Sequence, residues 1–201
     1  TVEILRDKGI KEIVFVVSHM KHKIIDYFGD GKNFGMNIDY VFQENPKGGT
    51  ADATRCAKNK INEDKFLLLY GDNVFESSAI EKLLNNRFDF DGVLCTKEVA
   101  NPSKFGILEV NGSFVKKIHE KPEVPPTNLA MTGLFILPKE IFAATEKTKL
   151  SPRGEYELTD SIQILIDNGM KIGYCKLSGF WLDPRDKIEI EEAKKFISQS
   201  A

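Results

Sequence analysis

The chain has 201 residues, with 28 Lys and Arg set against 30 Asp and Glu, and a formal net charge of −2. That balance, with no basic face in view, argues against nucleic acid as a partner. No apolar run approaches the ~20 residues that a membrane span requires, so no membrane partner is expected, and the length suits one substantial α/β domain with a sizeable core.

The chain opens on Val2 to Lys8, which reads as the last turns of a helix ended by Gly9 as a left-handed cap. Ile13 to Val17 is a buried strand, and Ser18 or His19 opens a helix that runs to about Phe28. Gly29 to Gly35 is a loop, and Asn37 to Phe42 is the next strand, delivering Gln43 at its end. A helix over Ala51–Lys60 and a strand over Lys65–Leu69 continue an alternation that argues for a doubly wound parallel sheet. Ser78–Asn86 suits a helix and Asp91–Lys97 a strand. Phe105–Val110 and Ser113–Ile118 are short strands around a tight turn at Asn111-Gly112. Pro125 and Pro126 enforce an extended loop, and Leu129–Leu137 is an apolar strand punctuated by Gly133. A helix from about Tyr156 to Asn168 is stopped by Gly169. Lys171–Leu177 is a strand and Ile188–Ser198 an amphipathic helix.

Neither the start, Thr1-Val2-Glu3-Ile4, nor the cysteines point outside the cytoplasm. Cys56, Cys95 and Cys175 are odd in number and far apart, without metal-ligand spacing, and read as reduced thiols. His19, His22 and His119 form no ligand pattern and read as surface or satisfied histidines.

Four groups of residues could carry chemistry. In Gln43 to Ala53, a glutamine at a strand end offers both donor and acceptor to the edge of a base. Glycines there let backbone approach a ligand, and the following helix offers N–H groups to anions; a plain glycine-rich connection with Thr50 as N-cap accounts for the same residues. Tyr70-Gly71-Asp72-Asn73 places a carboxylate beyond the carboxyl edge of the sheet, where it could hold Mg²⁺ or cap a helix. In the third group, Gly106 gives backbone access, Glu120 could accept sugar hydroxyls and Lys121 could pair with a phosphate, with Thr132-Gly133 beyond. Singly, Glu120-Lys121-Pro122 is also ordinary surface punctuation. In Trp181-Leu182-Asp183, the aspartate would supply a second metal-binding carboxylate or cap the next helix.

In this order, these groups resemble the sugar-1-phosphate nucleotidylyltransferases, the nucleotide-sugar pyrophosphorylases. Further matches are Phe105-Gly106-Ile107-Leu108, Thr132-Gly133-Leu134-Phe135 and Gly154-Glu155-Tyr156-Glu157-Leu158-Thr159-Asp160. The resemblance covers about residue 2 to residue 197, with glucose-1-phosphate uridylyl- and thymidylyltransferases looking nearest. It implies a Rossmann-like α/β fold, a mixed, mainly parallel sheet flanked by helices, of the nucleotide-diphospho-sugar transferase type. Residues 1–201 would be one domain, with 1–75 its nucleotide-binding part and 90–201 its sugar-phosphate-binding part.

The implied reaction joins a nucleoside triphosphate and a sugar 1-phosphate with Mg²⁺ as cofactor, releasing pyrophosphate. Carried over by motif, Gln43 reads the base, backed by Gly48, Gly49 and Thr50, and Asp72 and Asp183 bind the metal. Gly106, Glu120 and Thr132-Gly133 line the sugar, Lys121 holds its phosphate, and Lys121, Asp72 and Asp183 form the catalytic set. Many members form dimers or tetramers, which leaves a homo-oligomer open.

Three departures follow. The family opens with a strand and a glycine-rich loop that clamps the triphosphate, and a first strand is therefore expected ahead of Thr1. Gly48-Gly49-Thr50 has one residue more than the commonest spacing from the glutamine. Pro184-Arg185-Asp186 stands where the family often has Thr-Gly-Thr, so Asp186 competes with Asp183 as metal ligand. A non-catalytic regulatory or binding subunit on the same fold is the second reading. A glycosyltransferase is the third, and it would need an Asp-x-Asp motif that Asp72-Asn73-Val74 does not supply.

Overall fold

The computed structural model describes residues 1–86 and 89–200. In chain order its elements are α1 (Val2–Asp7), β1 (Glu12–Val17), α2 (Lys21–Phe28), β2 (Asn37–Phe42), α3 (Gly49–Cys56), β3 (Lys65–Leu69), β4 (Val74–Phe75), α4 (Ser77–Asn85), β5 (Gly92–Glu98), β6 (Gly106–Asn111), β7 (Phe114–Glu120), β8 (Leu129–Pro138), α5 (Ile141–Lys147), α6 (Leu158–Asp167), β9 (Ile172–Lys176), β10 (Trp181–Leu182) and α7 (Lys187–Ser200). They form two compact units that interleave along the chain. The first holds Thr1–Phe66, Lys117–Glu120 and Pro138–Met170; the second holds Leu67–Lys116, Lys121–Leu137 and the chain from Lys171 onward.

In the first unit α1 buries Val2 and Leu5 and ends where Gly9 takes φ +84°, its N–H donating to the Arg6 carbonyl at 2.8 Å. β1 and β2 pair in parallel, Glu12 opposite Asn37 through Val17 opposite Phe42, as strands joined by a helical crossover do. The Gln43 N–H extends that ladder to the Val17 carbonyl at 2.9 Å, which carries Gln43 just past the carboxyl end of β1. Helices α3, α5 and α6 pack on one another through Ala51, Ile141, Phe142, Leu158 and Ile162. Phe66 stacks on Phe142 with centroids 5.3 Å apart.

The second unit is built on a mixed sheet in the order β3-β8-β5-β9-β7-β6. β5 runs antiparallel to β8 and parallel to β9. Every residue of β8 is buried, and this continuous apolar run is what a strand covered on both faces requires. Truncating Phe135 or Leu137 there would cost about 3–5 kcal/mol. α4 packs Ala79, Ile80 and Leu83 beside β5. The register of β5 and β9 sets Cys95 directly opposite Cys175, with their sulfurs 3.1 Å apart and both thiols free. Two very short strands, β4 and β10, pair antiparallel, Val74 with Leu182 and Phe75 with Trp181.

Several limits differ from the sequence reading, each for a local reason. α2 begins at Lys21, because the Ser18 hydroxyl donates to the Gln43 carbonyl at 2.8 Å and Met20 turns left-handed at φ 56°. α3 starts earlier and stops at Cys56, short of Lys60. The hairpin turn falls on Gly112-Ser113, one residue later than expected, with Gly112 at φ +58°. α6 starts at Leu158, because the Tyr156 N–H donates to the Gly48 carbonyl at 3.0 Å and Glu157 stays extended. α5, β4 and β10 were not anticipated.

Candidate functional site

In the first unit the site grows from Gln43. Its Nε2 donates to the Gly49 carbonyl at 3.1 Å and to Asp52 Oδ2 at 2.9 Å, so both amide N–H groups are committed. Arg55 pairs with the other oxygen of Asp52 and lies over the Tyr156 ring. Gly49 opens α3 at φ +83°, and a Cβ there would meet the backbone oxygen and nitrogen of Tyr156 at 2.5 and 2.8 Å. Only glycine fits that position. Thr50 is the second residue of α3 rather than its N-cap. Its hydroxyl instead accepts the N–H of Leu158, the first residue of α6, at 3.0 Å. Gly48 N-caps α3, and its carbonyl receives Tyr156. The Gln43 loop and the 154–160 segment are therefore one hydrogen-bonded piece.

That piece also holds Glu120. Its Oε1 accepts from Arg153 Nη2 at 2.9 Å and its Oε2 from the Thr159 hydroxyl at 3.0 Å. Arg153 donates at the same time to Oε1 of Glu157, a buried carboxylate that also receives the Ser151 hydroxyl. One guanidinium thus neutralises two carboxylates, without which a buried glutamate would be a large penalty. Burial, then the nearby Glu157 charge, pushes the Asp160 carboxyl above its ordinary range, with Arg153 opposing.

The second unit carries the paired carboxylates. Asp72 follows β3, and Asp183 follows β10; the two-residue ladder between β4 and β10 draws both ends toward one place. Burial raises the Asp72 pKa, the Asp183 charge raises it further, and Arg185 and a backbone hydrogen bond work against the shift. Asn73 is buried beside it. The Trp181 indole N–H bridges Asn73 Oδ1 at 3.1 Å and the Thr132 carbonyl at 3.0 Å. Gly133 bulges out of β8 at φ +73°, where a Cβ would strike the Tyr70 ring at 2.5 Å and Asn73 Nδ2 at 2.8 Å. The Thr132 hydroxyl is spent on the Cys95 carbonyl at 3.0 Å, which leaves its side chain in the core. Gly106 opens β6. Lys121 adopts φ 42°, a left-handed conformation that a non-glycine residue holds only when its surroundings impose it, and its N–H donates to the Phe105 carbonyl at 3.0 Å.

Asp186, the alternative to Asp183 in the sequence, sits at the start of α7. Its Oδ1 accepts the N–H groups of Ile188 and Glu189 at 2.8 and 2.9 Å, which makes it the cap of α7. Among the described residues no group of three or more His, Cys, Asp or Glu could hold a metal ion. Mg²⁺ keeps several waters and phosphate oxygens and needs only one or two protein carboxylates. Asp72 and Asp183, mutually repelling and part-buried, fit that need. Two functional candidates escaped the sequence reading. Arg153, between Pro152 and Gly154, looks like a turn residue, and only the need of Glu120 and Glu157 for a common counter-ion gives it away. Arg185 was noted only as part of a departure from the family pattern.

The mixed sheet with flanking helices and this distribution of motifs define a nucleotide-diphospho-sugar transferase fold. A structure of UDP-glucose pyrophosphorylase complexed with UDP-glucose superposes with a TM-score of 0.85 over 100% of this chain and 85% of that one, at 21% identity, a likeness of fold. The family model described as nucleotidyl transferase matches residues 1–200. A low-salt glycan biosynthesis nucleotidyltransferase of Haloferax volcanii is 36% identical over 199 residues, covering 98% of this chain and 56% of that protein. A UTP–glucose-1-phosphate uridylyltransferase of the same organism is 34% identical over 195 residues, covering 94% and 79%. A glucose-1-phosphate thymidylyltransferase of Streptomyces griseus is 30% identical, covering 98% and 56%. The chain thus spans little more than half the length of the first and third of these relatives. It belongs to the nucleotidyl transferase family, as a member of the sugar-1-phosphate nucleotidyltransferases.

Proposed function

We propose that the protein transfers a nucleotidyl group from UTP or dTTP to a hexose 1-phosphate, with Mg²⁺, in the cytoplasm. The observation that carries the choice of base is the fixed amide of Gln43. With both N–H groups committed to Gly49 and Asp52, what it offers a ligand is the carbonyl Oε1. An acceptor placed for a ring N–H selects uracil and thymine, which carry one at N3; cytosine and adenine have no ring N–H on that edge and donate only from their exocyclic amino groups. Guanine also carries a ring N–H, at N1; relatives named for uridylyl and thymidylyl transfer favour the pyrimidines.

Gly48 and Gly49 let backbone approach the nucleotide, and Thr50 braces that loop against α6. Glu120, held at both oxygens, presents a rigid carboxylate to the sugar hydroxyls. Asp72 and Asp183 would hold Mg²⁺, Lys121 would bind the sugar phosphate, and the backbone at Gly106 and at the Thr132-Gly133 bulge would line the sugar. An oxygen of the sugar phosphate attacks the α-phosphorus in line, the bond from that phosphorus to its bridging oxygen breaks, and pyrophosphate leaves with the electron pair. When bound, Mg²⁺ would neutralise the charge on the phosphate oxygens as this happens.

The test is pyrophosphate release by the native full-length protein with Mg²⁺ across a matrix of triphosphates and sugar 1-phosphates. Release with UTP or dTTP and a hexose 1-phosphate is the expected result. Silence in every cell of the matrix would overturn the reading.

A further inference from the structure

Arg185 is held on all sides in a way its place in the sequence does not explain. Its Nε and Nη2 both donate to Asp183 Oδ2, at 3.1 and 2.7 Å. Nη2 donates also to the Lys104 carbonyl at 3.2 Å, and the guanidinium lies 4.5 Å from the centre of the Phe105 ring. Its own backbone N–H is taken by Glu189 Oε2 at 2.6 Å, and Asp186 caps α7 just beyond. The side chain of Asp183 keeps 24% of its exposure and that of Arg185 39%, so the pair is open to exchange with solvent species. A plain anchor for α7 would not need the guanidinium on a carboxylate that the β4–β10 ladder brings toward Asp72.

We propose that Arg185 is a tethered counter-cation of the Asp72–Asp183 pair, which a divalent ion must displace from Asp183 in order to bind. The inference rests on the reading of Asp72 and Asp183 as metal ligands, and it concerns what this chain adds to them. Two part-buried carboxylates repel each other until a positive charge lies between them. Here the chain supplies one itself, on a side chain long enough to withdraw while still resting on Phe105. Arg185 is a good placeholder because it binds Asp183 firmly yet carries a single charge, where a small dication brings two to both carboxylates. The free ion therefore binds weakly, and binding is strengthened by any anion that receives the displaced guanidinium, the oxygens of a triphosphate being the chemistry at hand.

Mn²⁺ binding, followed by the loss of the free-ion electron paramagnetic signal, tests this without turnover. In R185A the affinity should rise about three- to ten-fold over the native protein, the scale of losing one competing, partly exposed ion pair. If R185A fails to fold, R185Q keeps the packing on Phe105 and carries the same expectation. In the native protein, added Mg²⁺ should shift the Arg185 Nε–H resonance as its bond to Asp183 breaks. Unchanged or weaker Mn²⁺ binding in the variant, or an unmoved resonance at saturating Mg²⁺, overturns the proposal. If Mn²⁺ binding depends on Asp72 but ignores position 185, only the role of Arg185 falls. If the native protein binds no Mn²⁺, the metal-ligand assignment falls with it.

Discussion

The Gln43 loop and the Asp72–Asp183 pair solve opposite problems. In the first unit every donor of Gln43, both oxygens of Glu120 and the cation of Arg153 are already bonded within the protein. In the second unit a part-buried carboxylate is set near another, and burial first, then the Asp183 charge, raises the Asp72 pKa. A preformed, satisfied network suits recognition, because little is left to order when a ligand arrives. A pair of like charges held by one exchangeable guanidinium suits the binding of a dication, which can replace that guanidinium. On the proposed reading, the recognition motif is bonded throughout by the folded chain, while the charged motif is held by one exchangeable ion pair.

The hardest way to break that contrast is to neutralise one carboxylate. D72N should reduce pyrophosphate release by about 100-fold or more, the scale of a lost charge-stabilising group. Its melting temperature should hold or rise, since the substitution removes a charge that burial disfavours. Unchanged turnover would remove Asp72 from the chemistry. On the recognition side, Q43L should raise KM for UTP about ten- to hundred-fold while changing kcat far less, as expected where a polar partner is left unpaired. An equal loss in kcat would show that Gln43 acts on the reacting atoms instead.

Smaller effects sharpen the picture. G49A forces a Cβ onto the Tyr156 backbone at φ +83°, whereas G154A, at φ +78°, has nothing within 4 Å. Thermal melting should show G154A costing about 1–2 kcal/mol, the price of the left-handed conformation alone. G49A should lose about 3 kcal/mol or more. Equal losses would mean that the loop yields and the network is not preformed. The subtlest effect is in pH. The pKa of Asp72 is raised in the folded state, so between the ordinary 3.8 and that raised value the folded chain binds more protons than the unfolded one. In that window this group makes stability fall as pH rises. Denaturation curves of D72N should lack that contribution; identical slopes in both proteins would contradict the shift.

Much of the fold could be read from the chain because its strands are apolar runs with clear ends. Asn37–Phe42 and Lys65–Leu69 match the observed strands to the residue. What escaped notice depends on partners distant in sequence. β4 and β10 are two residues each and exist only because they meet. α5 is a two-turn helix, Ile141–Lys147, defined by burying Ile141, Phe142 and Ala144 rather than by any sequence signal at its start. Among candidate site residues, motif order supplied Gln43, Glu120, Asp72 and Asp183. Asp183 and Asp186 look alike in the sequence, and only geometry shows that Asp186 accepts backbone N–H groups while Asp183 pairs with Arg185. The same holds for Thr50, which looks like a cap for its own helix and serves a different one.

The cysteines, set aside as scattered in sequence, give the protein a built-in counter. Cys95 and Cys175 are sealed between β5 and β9, while Cys56 retains some exposure at the end of α3. A maleimide added to the native protein should therefore report one thiol, slowly, since burial pushes the Cys56 pKa up. The other two can react only when the strands that hold them part, so the rate at which labelling climbs from one adduct to three measures how often the heart of the sheet opens.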